Sequence, residues 1–135
     1  MLDPEEAKRR ALKAAELLLA DIAHPPTIAS IAEKVGLTKY ELSRLFPVVT
    51  GKSGPELLRH ARMQKAAELL RTSPQRRVGE IAVEVGYASM SAFCRAFEQE
   101  MGQVPSAYQD AHRPQNFPEA FPFPRPPRKF RKPPQ

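Results

Sequence analysis

The chain repeats itself at a distance of about fifty residues, and this limits the folds open to it more than any other feature. A shift of 50 lays Ile31-Ala32…Val35-Gly36 on Ile81-Ala82…Val85-Gly86. A shift of 51 lays Arg44, Phe46 and Gly51 on Arg95, Phe97 and Gly102, so the second copy has one extra residue between its glycine and its second helix. Each copy reads as a short helix, a glycine turn and a second helix, the helix-turn-helix plan. Ala32 and Ala82 are small enough for the second helix to cross closely over the first, and Gly36 and Gly86 take the turn without strain. Leu42 with Phe46, and Phe93 with Phe97, stand one helical turn apart and point each second helix into a core. One such motif is weak, since many helical proteins contain two helices at such an angle. Two copies joined by a helix of about 17 residues are much more specific.

The rest of residues 1–112 also reads as helix. Asp3-Pro4-Glu5-Glu6 is a start signal: an aspartate to cap, a proline suited to the first turn, and acids at the positive end of the dipole. Apolar residues from Ala7 to Ile22 recur with a helical period and end before His24-Pro25-Pro26. Thr27 caps a helix through Val35. Thr38 with Glu41 forms a capping box that opens a helix to Phe46, closed by Pro47. Ser53 with Glu56 opens the long helix to Arg71, with Leu57, Leu58, Ala61, Met63, Ala66, Leu69 and Leu70 mostly on one side. Val78–Val85, a Ser89-capped helix to Met101, and a short helix from Val104-Pro105 toward His112 complete the series. No strand-like alternation appears. From Arg113 onward, eight prolines in 23 residues forbid regular helix and imply an extended or disordered tail. The expected organisation is therefore all-α: a tandem helix-turn-helix domain over 1–112, then a basic Pro/Phe-rich tail over 113–135.

Charge and composition exclude several classes. The net charge of +6 suggests nucleic acid, but the tail holds six basic residues against Glu119 alone. Residues 1–112 carry 15 basic and 14 acidic groups, so attraction of a polyanion must come from where those charges sit. The single Cys94 excludes an internal disulfide framework and fits a reducing cytoplasm. No secretory leader is visible, and no apolar run approaches the ~20 residues a spanning helix needs, so a cytoplasmic protein without membrane contact is expected. His24, His60 and His112 share no ligand spacing with Cys94, so no metal is assigned. No nucleophile–base set, paired carboxylates or phosphate-cradling loop stands out, so neither enzymatic activity nor a cofactor is expected.

What stays outward on the second helices is Lys39, Tyr40, Ser43 and Arg44 in the first copy, and Met90, Ser91, Cys94 and Arg95 in the second. A helix of this kind fits the major groove, which makes these side chains candidates for reaching base edges. Thr38, Lys39 and Ser89, at helix starts with exposed amides, are candidates for phosphate contact. The plainer alternatives are a surface arginine paired with Glu41 or Glu98, a Tyr40 that shields the core, and a Cys94 that is simply packed. Lys52 and Arg62 read as structural or solvated as readily as functional.

From Ala11 to Tyr108 the chain resembles the DNA-binding domain of the AraC/XylS family of transcriptional regulators. The second copy carries the resemblance in Ile81-Ala82…Val85-Gly86-Tyr87-Ala88-Ser89…Phe93-Cys94-Arg95-Ala96-Phe97…Gly102…Pro105-Ser106-Ala107-Tyr108. The first carries it in Ile31-Ala32…Val35-Gly36-Leu37-Thr38…Leu42-Ser43-Arg44-Leu45-Phe46…Gly51-Lys52-Ser53, and the connecting helix in Arg62…Ala66…Leu69-Leu70. The resemblance implies seven helices, with the long fourth one holding two helix-turn-helix units. It implies recognition helices in successive major-groove segments of double-stranded DNA, roughly 34 Å apart. It further implies a transcriptional regulator, in the first instance an activator that touches RNA polymerase. Family members commonly carry a separate sensing or dimerising domain. Here the first helix stands at the chain start, so the expectation is a short stand-alone regulator or the reading half of a larger protein.

Two departures matter. Pro47 stands where many members keep a basic residue, and Met90 and Ala92 leave the second recognition helix poor in hydrogen-bonding groups. The first unit is thus expected to carry more polar readout, with Met90 or Ala88 meeting a thymine methyl. Two other functions compete: a protein-interaction module working through the Pro/Phe-rich tail, and the DNA-binding part of a repair or recombination enzyme.

Overall fold

The computed structural model describes residues 2–112, and the tail expected over 113–135 lies outside the described residues. The described residues form seven helices and no strand: α1 Pro4–Leu19, α2 Ile28–Val35, α3 Lys39–Thr50, α4 Gly54–Thr72, α5 Val78–Glu84, α6 Met90–Met101 and α7 Pro105–Ala111. The chain divides into two compact units, Met1–Arg62 and Met63 onward, with α4 contributing to each.

In the first unit the caps work as their residue types require. Asp3 accepts from the N–H groups of Glu5 and Glu6 at 2.8 and 3.1 Å, and Thr27 accepts from Ser30 N–H at 3.1 Å. Ala11, Ala14 and Leu18 of α1 are buried at helical spacing. The core of the unit is Ala14, Leu18, Ile31, Ala32, Leu37, Leu42 and Phe46. Gly36 adopts φ +76°, and Leu37 N–H closes the turn onto the Ala32 carbonyl at 2.9 Å. Gly54, at the start of α4, is buried, and a Cβ there would meet Ile28 and Phe46 at 3.4 Å.

α3 does not end at Phe46. It continues through Pro47 to Thr50 and is closed by Gly51 at φ +84°. Proline removes the N–H that would donate to the Ser43 carbonyl, but Pro47 and Ser43 are both exposed, so water can take that acceptor. Beyond it the turn is re-secured: Thr50 Oγ1 donates to the Phe46 carbonyl at 2.7 Å, and Gly51 N–H to the Pro47 carbonyl at 2.9 Å.

The second unit repeats the plan on a different base. Met63, Ala66, Ala67 and Leu70 make a buried stripe on α4, and Ile81, Ala82, Val85, Phe93, Ala96, Phe97 and Pro105 are buried in the same unit. Leu57 and Leu58, expected on the same side, are only half-buried, and the buried Ala67 replaces the half-buried Leu69 in the stripe. Tyr87 N–H reaches the Ala82 carbonyl at 2.9 Å, the counterpart of Leu37 on Ala32, while Gly86 takes φ +105°. An aromatic series crosses the unit: Tyr87–Phe93, Phe93–Phe97 and Phe97–Tyr108 have centroids 5.6, 5.9 and 5.3 Å apart. Each fully buried phenylalanine contributes about 1.5–3 kcal/mol through burial alone.

Candidate nucleic-acid interface

Helix α3, the second helix of the first copy, opens on a complete capping box. Thr38 Oγ1 accepts from Glu41 N–H at 3.0 Å, and Glu41 Oε1 accepts from Thr38 N–H at 2.8 Å. The Thr38 hydroxyl proton is not used by that bond and is left to donate outward. Ser89 Oγ does the same at α6, accepting from Ala92 N–H at 3.1 Å. Lys39 is exposed in the first turn of α3.

Leu42 and Phe46 turn fully inward, so Tyr40, Ser43 and Arg44 are displayed together on the open side of α3. Tyr40 is 68% exposed and therefore does not shield the core. It holds Arg44 instead: Arg44 Nη1 donates to the Tyr40 hydroxyl at 2.8 Å, and the guanidinium carbon lies 5.4 Å from the ring centroid. The acid partner considered for Arg44, Glu41, is occupied by the capping box.

Helix α6, the second helix of the second copy, presents a different surface. Ser91 and Arg95 are exposed, whereas Met90 and Cys94 are half-buried. Burial, assisted by the Glu98 carboxylate, pushes the Cys94 thiol above its ordinary value. A raised thiol pKa leaves less thiolate at neutral pH, so Cys94 is expected to alkylate with iodoacetamide more slowly than a free small-molecule thiol at pH 7. Labelling faster than the free thiol would contradict the raised pKa of the half-buried Cys94 thiol.

Several supporting contacts had no signal in the sequence. Arg10 of α1 donates from Nη1 to the Gly36 carbonyl at 3.0 Å and from Nε to Glu6 at 2.8 Å, steadying the turn before α3. Arg62 Nε donates to the Ile22 carbonyl at 2.8 Å, which gives this arginine a structural place. Behind α6, the buried Gln109 donates to the Arg76 carbonyl at 2.8 Å, and the Arg76 guanidinium binds Glu84 at 2.6 Å. Their partners lie 26, 40 and 33 residues away for Arg10, Arg62 and Gln109, beyond any local pattern. Among the described residues no group of three or more His, Cys, Asp or Glu comes together as a metal site. No described helix is long and apolar enough to cross a membrane.

The helix-turn-helix domain family matches residues 31–111, which span both copies and α4. Regulatory protein SoxS of Salmonella typhimurium strain LT2 is 38% identical over 87 residues, covering 64% of this chain and 80% of SoxS. The chain belongs to the AraC/XylS family of DNA-binding domains. A transcriptional regulator with an AraC-type DNA-binding domain from Chromobacterium violaceum has the same fold, with a TM-score of 0.71 at 22% identity over 78% of this chain and 94% of that one. The DNA-binding domain of AdpA, a global transcriptional factor solved with a target DNA, does so with a TM-score of 0.69 at 24% identity, covering 76% and 92%. The expected all-α fold and family hold, and the chain is a DNA-binding transcriptional regulator whose relatives are regulators rather than enzymes.

Proposed function

We propose that residues 1–112 read an asymmetric DNA site with two recognition helices, α3 and α6, in successive major-groove segments. The observation that carries this reading is the matched display of Arg44 and Arg95, each exposed two residues before a fully buried phenylalanine, Phe46 or Phe97, on an equivalent helix. Tyr40, Ser43 and Arg44 meet base edges from α3; Met90, Ser91, Cys94 and Arg95 do so from α6. Thr38, Lys39 and Ser89 meet phosphates at the helix starts. The two helices contribute unequally. α3 offers a phenol, a hydroxyl and a guanidinium, whereas α6 offers chiefly Arg95, Ser91 and apolar contact with thymine methyls. In this reading the protein acts in the cytoplasm as an activator touching RNA polymerase. The tail over 113–135, with six basic residues, adds sequence-independent attraction.

Selection from random DNA with the purified protein tests this. A single asymmetric site of about 20 base pairs is expected, one groove segment for each unit. Absence of any enriched sequence overturns the reading. Replacing Lys39 with glutamine is expected to weaken specific and non-specific binding alike and to lower the slope of log K against log salt by about 0.9. A selective loss at one base pair would instead make Lys39 a base reader.

A further inference from the structure

The Tyr40–Arg44 pair is an arrangement that base contact by itself does not require. Neither the 2.8 Å hydrogen bond nor the stacking at 5.4 Å is imposed by burial, because both side chains are exposed. An unattached arginine on a surface samples many rotamers and loses that freedom when it docks. A tyrosine has two torsions and a stiff ring, so it can hold a guanidinium at small entropic cost. We propose that Tyr40, whose exposed ring remains available to the groove, is also a positioning residue for Arg44, and that its hydroxyl acts by holding the guanidinium rather than by meeting DNA. Engaging Nη1 leaves the Nε and Nη2 edge of the guanidinium to face outward as two parallel donors. Guanine, with N7 and O6 accepting side by side, is the base that such an edge fits.

The second copy supplies an internal contrast. Ser91 stands at the place equivalent to Tyr40, and Arg95 makes no hydrogen bond or ion pair among the described residues. Arg95 therefore lacks the fixed orientation of Arg44, and its base pair is expected to be the less strictly read of the two. The proposal rests on the reading of α3 as a DNA-reading helix, and the test separates the two.

Equilibrium binding of the full chain to a duplex carrying its selected site is measured at fixed salt for Tyr40→Phe, Arg44→Ala and the double variant. Each is also measured on duplexes altered at the base pair that Arg44→Ala ceases to discriminate. Tyr40→Phe keeps the ring and removes only the hydroxyl. It is expected to weaken the cognate site about fivefold, mostly as lost discrimination at that base pair, with an unchanged salt slope. In the Arg44→Ala background it is expected to change nothing further. An equal loss in both backgrounds means that the hydroxyl meets DNA itself and overturns the proposal, as does no loss in the parent. If Arg44→Ala binds as the parent does, the reading of α3 fails and the proposal fails with it.

Discussion

Replacing Arg44 with alanine is expected to weaken binding to the selected site by about 1–3 kcal/mol, roughly 5- to 150-fold, with a much smaller effect on unrelated DNA. The size follows from what a guanidinium does in a groove. It supplies two parallel donors to one base, and its loss leaves that base's acceptors without partners in a partly dehydrated interface. The side chain is exposed, so its truncation opens no cavity and leaves Leu42 and Phe46 in place. Arg95→Ala is expected to act in the same direction but less strongly, because among the described residues no hydrogen bond orients Arg95 as Tyr40 orients Arg44. Anisotropy titrations at one salt concentration give both numbers. Parental affinity in both variants would mean that the reading faces are wrongly assigned.

Phe97→Ala is expected to lower stability by about 3–5 kcal/mol, the cost of removing a large aromatic side chain from a closed core. Phe97 is fully buried and touches two further rings, Phe93 at 5.9 Å and Tyr108 at 5.3 Å in edge-on geometry. A void there removes contacts with α7 as well as with the inner face of α6. Folded domains hold only about 5–15 kcal/mol in total, so the second unit is expected to be largely unfolded at 37 °C. The chain has no tryptophan, and Tyr87 and Tyr108 both belong to the second unit, so near-ultraviolet tyrosine dichroism follows its loss. A loss below about 1 kcal/mol would mean that the site collapses around the deletion and that the aromatic series is not its principal support.

Much of this architecture was legible from local patterns. The capping boxes at Thr38 and Ser53 are geometric requirements of helix starts, and the structure forms both. The inward pairs Leu42/Phe46 and Phe93/Phe97 follow from helical period alone, and all four are fully buried. The end of α3 was not legible. A proline is read locally as a stop, yet whether its missing hydrogen bond is costly depends on whether the abandoned carbonyl faces water. Ser43 and Pro47 both face outward, so the helix survives. The fates of Tyr40 and Cys94 were likewise undecided by residue type. The exposed Tyr40 partners Arg44, and Cys94 is a half-buried thiol whose burial raises its pKa.

The sequence by itself determined the tandem repeat, the helix starts and the inward faces, because caps and periodicity act over three or four residues. It also determined that net basicity is no argument for DNA binding, since that charge belongs to the tail. Which outward side chains are engaged, and which long-range contacts secure the turn before α3 and the start of α5, follow from tertiary packing alone. Arg10 on the Gly36 turn and Gln109 on the Arg76 carbonyl join residues far apart in the chain. Hydrogen bonds of that kind exist only after separate helices have closed on a shared core, and no local preference encodes them.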